Sequence, residues 1–191
     1  MNVLMTGVGG QGIILASDIL SEVVMRAGFD VKKSEIHGMA QRGGSVMSHV
    51  RFAGEVASPL IPYGCCDILV SFEELEAARY PPYMNGGTTV IVNRFRLAPP
   101  SVIAGKEPYP DVVPILKGCS GNVYLADGTA VAQALGERRA LNLVLMGVLS
   151  KFIEIPETLW AEVIADMVPE RIREVNLEAF KRGRTIDLVR T

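Results

Sequence analysis

Cysteine is scarce in this chain. Cys65, Cys66 and Cys119 are the only three in 191 residues, too few and too unevenly spaced for a disulfide framework, a zinc ribbon or a cysteine-ligated iron–sulfur cluster. If the protein takes part in electron transfer, its redox centre is expected elsewhere. Histidine is scarcer still. His37 and His49 have no cysteine or carboxylate at metal-ligand spacing, so each reads as a structural or hydrogen-bonding residue. Long apolar runs are missing: the best, 140–150, is interrupted by Asn142 and falls well short of the roughly 18 residues of a membrane span. There is no basic leader and no Lys/Arg block, which sets the expectation of a cytoplasmic protein that binds neither membrane nor nucleic acid. Nor does the chain contain a G-x-S-x-G elbow, a G-K-[ST] phosphate loop, an H-E-x-x-H pair or two carboxylates in one polar loop. No nucleophile and base can be assembled from it.

What remains is a well-filled globular composition: 49% hydrophobic, 21% charged, net charge −2. That length supports one sizeable core, read here as a single domain over residues 1–191. The mean hydropathy of +0.27 is high. It implies a sheet buried on both faces, an apolar surface kept for a partner, or both.

The chain is organised around residues 1–17, MNVLMTGVGGQGIILAS. A short apolar run meets a glycine loop, and a charge-free apolar stretch follows, giving strand, loop and helix. Gly7, Gly9 and Gly12 keep the G-x-G-x-x-G spacing, and free amides at the helix start make an anion the natural guest. The same pattern also serves as a plain packing corner. The helix is read over 10–27, ending at Gly28, with a strand over 29–36 completing a βαβ unit. Glu35 then falls near the place where a dinucleotide fold holds a ribose hydroxyl.

Residues 37–51, HGMAQRGGSVMSHVR, carry both histidines, two arginines, a glycine pair and no acid. At the carboxyl end of the second strand they would lie beside the first glycine loop. Arg42 can fork onto a phosphate or carboxylate, Gly43 and Gly44 can expose amides, and Ser45 can add a hydroxyl. The competing reading is a simple turn with a solvated arginine.

Further strands are expected over 45–52, 66–72, 88–93 and 122–126, with a short partner at 55–59. Ser71-x-x-Glu74 matches a capping box, which makes Glu73 and Glu74 helix-start residues. Residues 97–114 form a proline-rich surface excursion. Asp127-Gly128-Thr129 starts a helix, 139–152 is apolar round its whole circumference, and amphipathic helices fill 156–191. The alternation predicts an α/β fold: a Rossmann-like three-layer sandwich, its sheet mostly parallel and helices on both faces.

GVGGQG, HGMAQRGGSVMSHVRF, SPLIP, CDILVSFEELEAARY, GGTTVIVN and ALNLVLMGVL together resemble the gamma subunits of 2-oxoacid:ferredoxin oxidoreductases, and most nearly the indolepyruvate group, over residues 1–152. The resemblance implies a subunit, inactive alone, of a complex that oxidatively decarboxylates a 2-oxoacid, such as indolepyruvate or another aryl pyruvate, to an acyl-CoA and passes electrons to ferredoxin. It places thiamine diphosphate and 4Fe-4S clusters on partner subunits and allows a homodimer in isolation. It also suggests coenzyme A contact through Gly9, Gly10, Gln11, Gly12, Arg42, Gly43, Gly44 and Ser45, with His37 closing over the site. Two other readings stay open. A free-standing NAD(P)- or flavin-dependent oxidoreductase would use Glu35 on ribose, and a non-enzymatic assembly protein would use the same frame as scaffold.

Overall fold

The computed structural model describes residues 1–38 and 43–191. A seven-stranded sheet runs in the order β2-β3-β1-β4-β5-β6-β7. Its strands are β1 (Asn2–Val8), β2 (Asp30–His37), β3 (Ser45–Ala53), β4 (Ile68–Ser71), β5 (Thr89–Asn93), β6 (Asn122–Ala126) and β7 (Val189–Arg190). Strands β1, β4, β5 and β6 are mutually parallel, while β2, β3 and β7 join by antiparallel pairing. The helices are α1 (Ile13–Arg26), α2 (Glu74–Ala77), α3 (Pro100–Ile103), α4 (Val112–Cys119), α5 (Gly128–Ala134), α6 (Leu141–Leu149), α7 (Glu157–Met167) and α8 (Glu170–Thr185).

Strand alternation divides the core. Val3 and Met5 of β1 point to one face, where α1, α6, α7 and α8 pack; Leu4 points to the other, with Leu116 of α4 and Ala77 of α2. Both faces of the central strands are covered, which accounts for the high hydropathy. The expected apolar helix is α6, and all nine of its residues are buried. Among the described residues no helix is long and apolar enough to cross a membrane.

Four expectations are corrected. β2 does not pair with β1. The short return between β2 and β3 makes them an antiparallel hairpin, and it is β3 that takes the place beside β1, Val8 opposite Ser45 and Ile36 opposite Met47. The stretch 55–59 is irregular, with the Val56 amide held by Asp30 Oδ2 at 2.8 Å. The cap of α2 is Glu73, whose carboxylate accepts from the Glu76 amide at 2.9 Å, and Ser71 spends its hydroxyl on the Glu73 carbonyl. The 97–114 excursion contains α3 and runs into α4, and beyond the expected C-terminal helices β7 closes the sheet edge on β6.

Candidate functional site

The parallel strands end together, and their following loops form one edge. At its centre is the 9–12 loop. The Val8 amide donates to Gln11 Oε1 at 2.7 Å, the Gln11 amide to the Val8 carbonyl at 3.1 Å, and the Gly9 amide to the Gly44 carbonyl at 2.8 Å. These bonds fold the loop and stitch it to the start of β3. By contrast, the amides of Gly10, Gly12, Ile13, Ile14 and Leu15 donate to nothing among the described residues. Gly12, at φ 80°, is the N-cap of α1, so those amides carry the positive end of a 14-residue helix.

The Phe72 carbonyl fixes the rest of the edge. It accepts from Gln11 Nε2 at 3.4 Å and from Asn93 Nδ2 at 3.0 Å, and Asn93 Oδ1 accepts the Thr129 amide at 3.1 Å. One buried asparagine thereby ties the end of β5 to the start of α5. Above the edge lies a cavity of about 420 Å³ lined by Val8, Gly9, Gly10, Gln11, Gly43, Phe95, Leu97, Thr129, Gln133, Arg138, Arg139 and Leu141. Its walls are largely apolar, with two arginines at the mouth. A second cavity of about 470 Å³ shares Gly10, Gln11 and Arg139 with it and continues past Gly12 to Asn142, Arg171 and Asn176.

The excursion wall is held by a buried carboxylate. Glu73 is 1% exposed; its Oε1 accepts from the Leu97 amide at 3.0 Å and from the Tyr109 hydroxyl at 2.6 Å. Burial, then the bond to Glu73, pushes the Tyr109 phenol well above its ordinary range. Glu73 is thus a positioning residue for the loop that carries Leu97.

The residues singled out in the sequence separate here. Gly9, Gly10, Gln11 and Gly43 line the first cavity, and Gly10, Gln11 and Gly12 the second. Gln11 spends its side chain inside the loop, and Gly44 offers its carbonyl to Gly9. Ser45 turns away, donating to Glu76 Oε2 at 2.5 Å and lying 2.8 Å from the Tyr80 hydroxyl. Arg42 and the side chain of His37 lie outside the described residues. His49 is 1% exposed, and its Nδ1 accepts the Ile61 amide at 3.2 Å; burial lowers its pKa. Glu35 meets Lys33 Nζ at 2.7 Å on β2. With β3 intervening, it stands two strands, about 10 Å, from β1, which removes the ribose geometry of the dinucleotide reading. Sequence reasoning missed Phe95, Arg138, Arg139, Asn142 and Arg171. The Arg138-Arg139 pair just before an uncharged helix was the available signal.

The cysteines do not fit a cluster. Cys65 is exposed, Cys119 half-buried, and Cys66 is buried with its thiol pushed up to about 12. No grouping of His, Cys, Asp and Glu able to hold a metal occurs among the described residues.

The model of the family described as pyruvate ferredoxin/flavodoxin oxidoreductase matches residues 2–186. The indolepyruvate oxidoreductase subunit IorB of Archaeoglobus fulgidus is 39% identical over 188 residues, covering 96% of this chain and 93% of that one. A keto/oxoacid ferredoxin oxidoreductase gamma subunit from Geobacter sulfurreducens superposes with a TM-score of 0.70 at 20% identity, covering 95% of both chains. A 2-oxoglutarate:ferredoxin oxidoreductase from Magnetococcus marinus, solved with 2-oxoglutarate, coenzyme A and succinyl-CoA bound, gives 0.74 at 23% identity. That match takes in 97% of this chain and 30% of the longer one. At such identities the two structures speak for the fold. The family match and the IorB identity go further: this chain belongs to the pyruvate ferredoxin/flavodoxin oxidoreductase family.

Proposed function

We propose that this chain completes a cytoplasmic 2-oxoacid:ferredoxin oxidoreductase by holding coenzyme A at the 9–12 loop while partner subunits carry thiamine diphosphate and the 4Fe-4S clusters. The overall reaction takes a 2-oxoacid and coenzyme A to an acyl-CoA and carbon dioxide, with two electrons leaving for ferredoxin and the thiol proton for solvent. Indolepyruvate or another aryl pyruvate is the oxoacid that the likeness to IorB favours. One observation carries the reading: the loop uses the amides of Val8, Gly9 and Gln11 to hold its own shape, and those of Gly10 and Gly12, beside the two cavities, donate to no described residue. Fixed amides at a helix start bind phosphate groups without reorganising, and the apolar walls suit an uncharged acyl-acceptor arm. Gly9, Gly10, Gln11, Gly12, Gly43 and Gly44 are the contact or loop-shaping residues, Arg42 supplies charge, and Ser45 anchors β3 to α2.

Co-expression with the thiamine-binding chain tests this. Oxoacid-dependent reduction of a viologen dye is expected only from the assembled complex, with turnover that rises with coenzyme A. Gly10→Ala and Arg42→Ala should raise the KM for coenzyme A more than they lower kcat. A complex whose coenzyme A dependence is untouched by both variants would overturn the assignment. Full oxoacid-dependent dye reduction by the isolated chain would overturn the subunit role.

A further inference from the structure

The face of the sheet opposite α1 is unevenly covered. There α2 packs on β1, β4 and β5, and α4 packs on β6; over β3, next to the outermost strand β2, a loop takes the place of a helix. That loop is tied down at two points. The Ile61 amide donates to His49 Nδ1 at 3.2 Å, and Arg51 Nη1 donates to the carbonyls of Ser58 and Leu60 at 2.8 and 3.0 Å. Between loop and strands lies a cavity of about 320 Å³, with Ile36, His49 and Tyr83 among its walls and Leu60 and Tyr63 at its rim.

Two features of this cavity are left without a partner. The first is a hydrogen-bond donor. Burial favours the neutral imidazole of His49, and because Nδ1 accepts the Ile61 amide, the ring proton sits on Nε2. Nε2 is buried and bonds to nothing among the described residues. A buried donor without an acceptor costs free energy that a guest's oxygen recovers. The second is apolar area. Ile36 is 48% exposed, Leu60 52% and Tyr63 72%, three large side chains around one opening. Between them the rings step edge-on, His49 to Tyr83 with centroids 5.5 Å apart and Tyr83 to Tyr63 at 4.9 Å. Packed aromatic walls with one donor among them suit an apolar side chain carried on a segment that has a free carbonyl or carboxylate.

We propose that this pocket is where a partner subunit of the complex docks, seating one aromatic or branched side chain between Ile36 and Tyr63 and an oxygen on His49 Nε2. The proposal rests on the subunit reading above, and the pocket shares no lining residue with the two cavities at the 9–12 loop. Strand β2 favours a protein segment as the occupant. It pairs with β3 alone, so its outer edge offers backbone groups to an extended chain lying beside the pocket. A small aryl ligand would fill the pocket and leave the rim in water. A second copy laid patch to patch would bring the same apolar rim, and its Ser58 and Leu60 carbonyls are already taken by Arg51. Neither is free for His49.

Titration of the full chain with the thiamine-binding chain, read by biolayer interferometry, tests the assignment. Tyr63→Ser and Leu60→Ser are expected to weaken the Kd about tenfold or more. Ile103→Ser, which removes a side chain 75% exposed on α3, should stay within about twofold of wild type. At an excess of partner chain, dye reduction by Tyr63→Ser should return to the wild-type kcat with an unchanged KM for coenzyme A, because the pocket holds the assembly and touches no reactant. His49→Phe keeps a ring and loses the donor, and should weaken assembly as well. Tyr63 and Leu60 stand in water, so their variants keep the test decisive if His49→Phe does not fold. Wild-type affinity in both serine variants would overturn the docking site and leave the subunit role standing, since the complex still forms. Absence of any complex with the wild type would overturn both. A dimer of the isolated chain that Tyr63→Ser dissociates would give the pocket to a second copy, and indolepyruvate binding to the isolated chain that the same variant abolishes would give it to a small ligand; either result overturns the partner-subunit assignment.

Discussion

Where α6 and α8 cross, glycine allows protein to meet protein. A Cβ on Gly147 would overlap the Phe180 carbonyl oxygen and stand 2.9 Å from Gly183 Cα, and one on Gly183 would overlap the Val144 carbonyl. At the 9–12 loop glycine does the reverse. Gly10 has φ 105°, and a Cβ there would meet nothing within 4 Å among the described residues. The crossing is glycine because space is full, and the loop is glycine because the backbone must turn beside space left open. The same residue type marks the tightest packing and the most accessible edge, and only its neighbours tell the two apart.

The contrast can be broken hardest at the crossing. Gly147→Ala is expected to destabilise the protein by about 3 kcal/mol, because both obstructing groups are backbone and cannot rotate away; chemical denaturation of the purified chain measures it. An effect below the scatter of surface substitutions would mean that the helices slide apart freely. Next comes Glu73→Gln. Both carboxylate oxygens accept bonds from donors on different segments, so a carboxamide leaves at least one donor facing nitrogen, a loss of about 2 kcal/mol. With the Leu97 wall loosened, the KM for coenzyme A should rise, and Glu73→Asp should recover part of it. Restoration of neither quantity by aspartate, with both unchanged in glutamine, would leave Glu73 without a positioning role.

Gly10→Ala should cost only about 1 kcal/mol, the price of a left-handed conformation in a residue with a side chain. Its effect on coenzyme A dependence should be much larger than its effect on stability, the mirror image of Gly147→Ala. The smallest effect concerns acidity. Burial lowers the pKa of His49 below the ordinary 6.5, so the folded protein disfavours the imidazolium. His49 therefore adds no penalty above 6.5 and destabilises the fold as pH drops through and below that value. Denaturation midpoints of wild type and His49→Gln should run parallel above 6.5 and diverge below it, the wild type falling faster. Parallel curves throughout would remove the desolvated histidine from the account.

Much of the frame was legible in sequence. β6 falls on its expected span of 122–126, α1 and β2 begin or end within a few residues of theirs, and the unbroken apolarity of 139–152 marked the buried helix α6. The two glycine passages were expected at one edge, and the Gly9-to-Gly44 bond joins them. Less legible was how they are joined. The βαβ reading assumed that consecutive strands pair, and no local signal separated a crossover from a hairpin inserted between β1 and β2. The distribution of work among candidates was also hidden. Ser45 sits one residue from Gly44 in sequence yet bonds to α2, because strand alternation turns its side chain away from the loop.

By itself the sequence determined the element types, the glycine positions and the lack of residues for a cysteine cluster, because periodicity, backbone freedom and ligand chemistry are properties of short stretches. Only the tertiary structure decided which loop amides find an acceptor among the described residues, that Leu97 is held in place by Glu73, and that Asn142, far from the glycine loop in the chain, stands against Gly12. Hydrogen-bond partners and cavity walls are set by segments that meet only after the sheet has formed, and no local pattern records them.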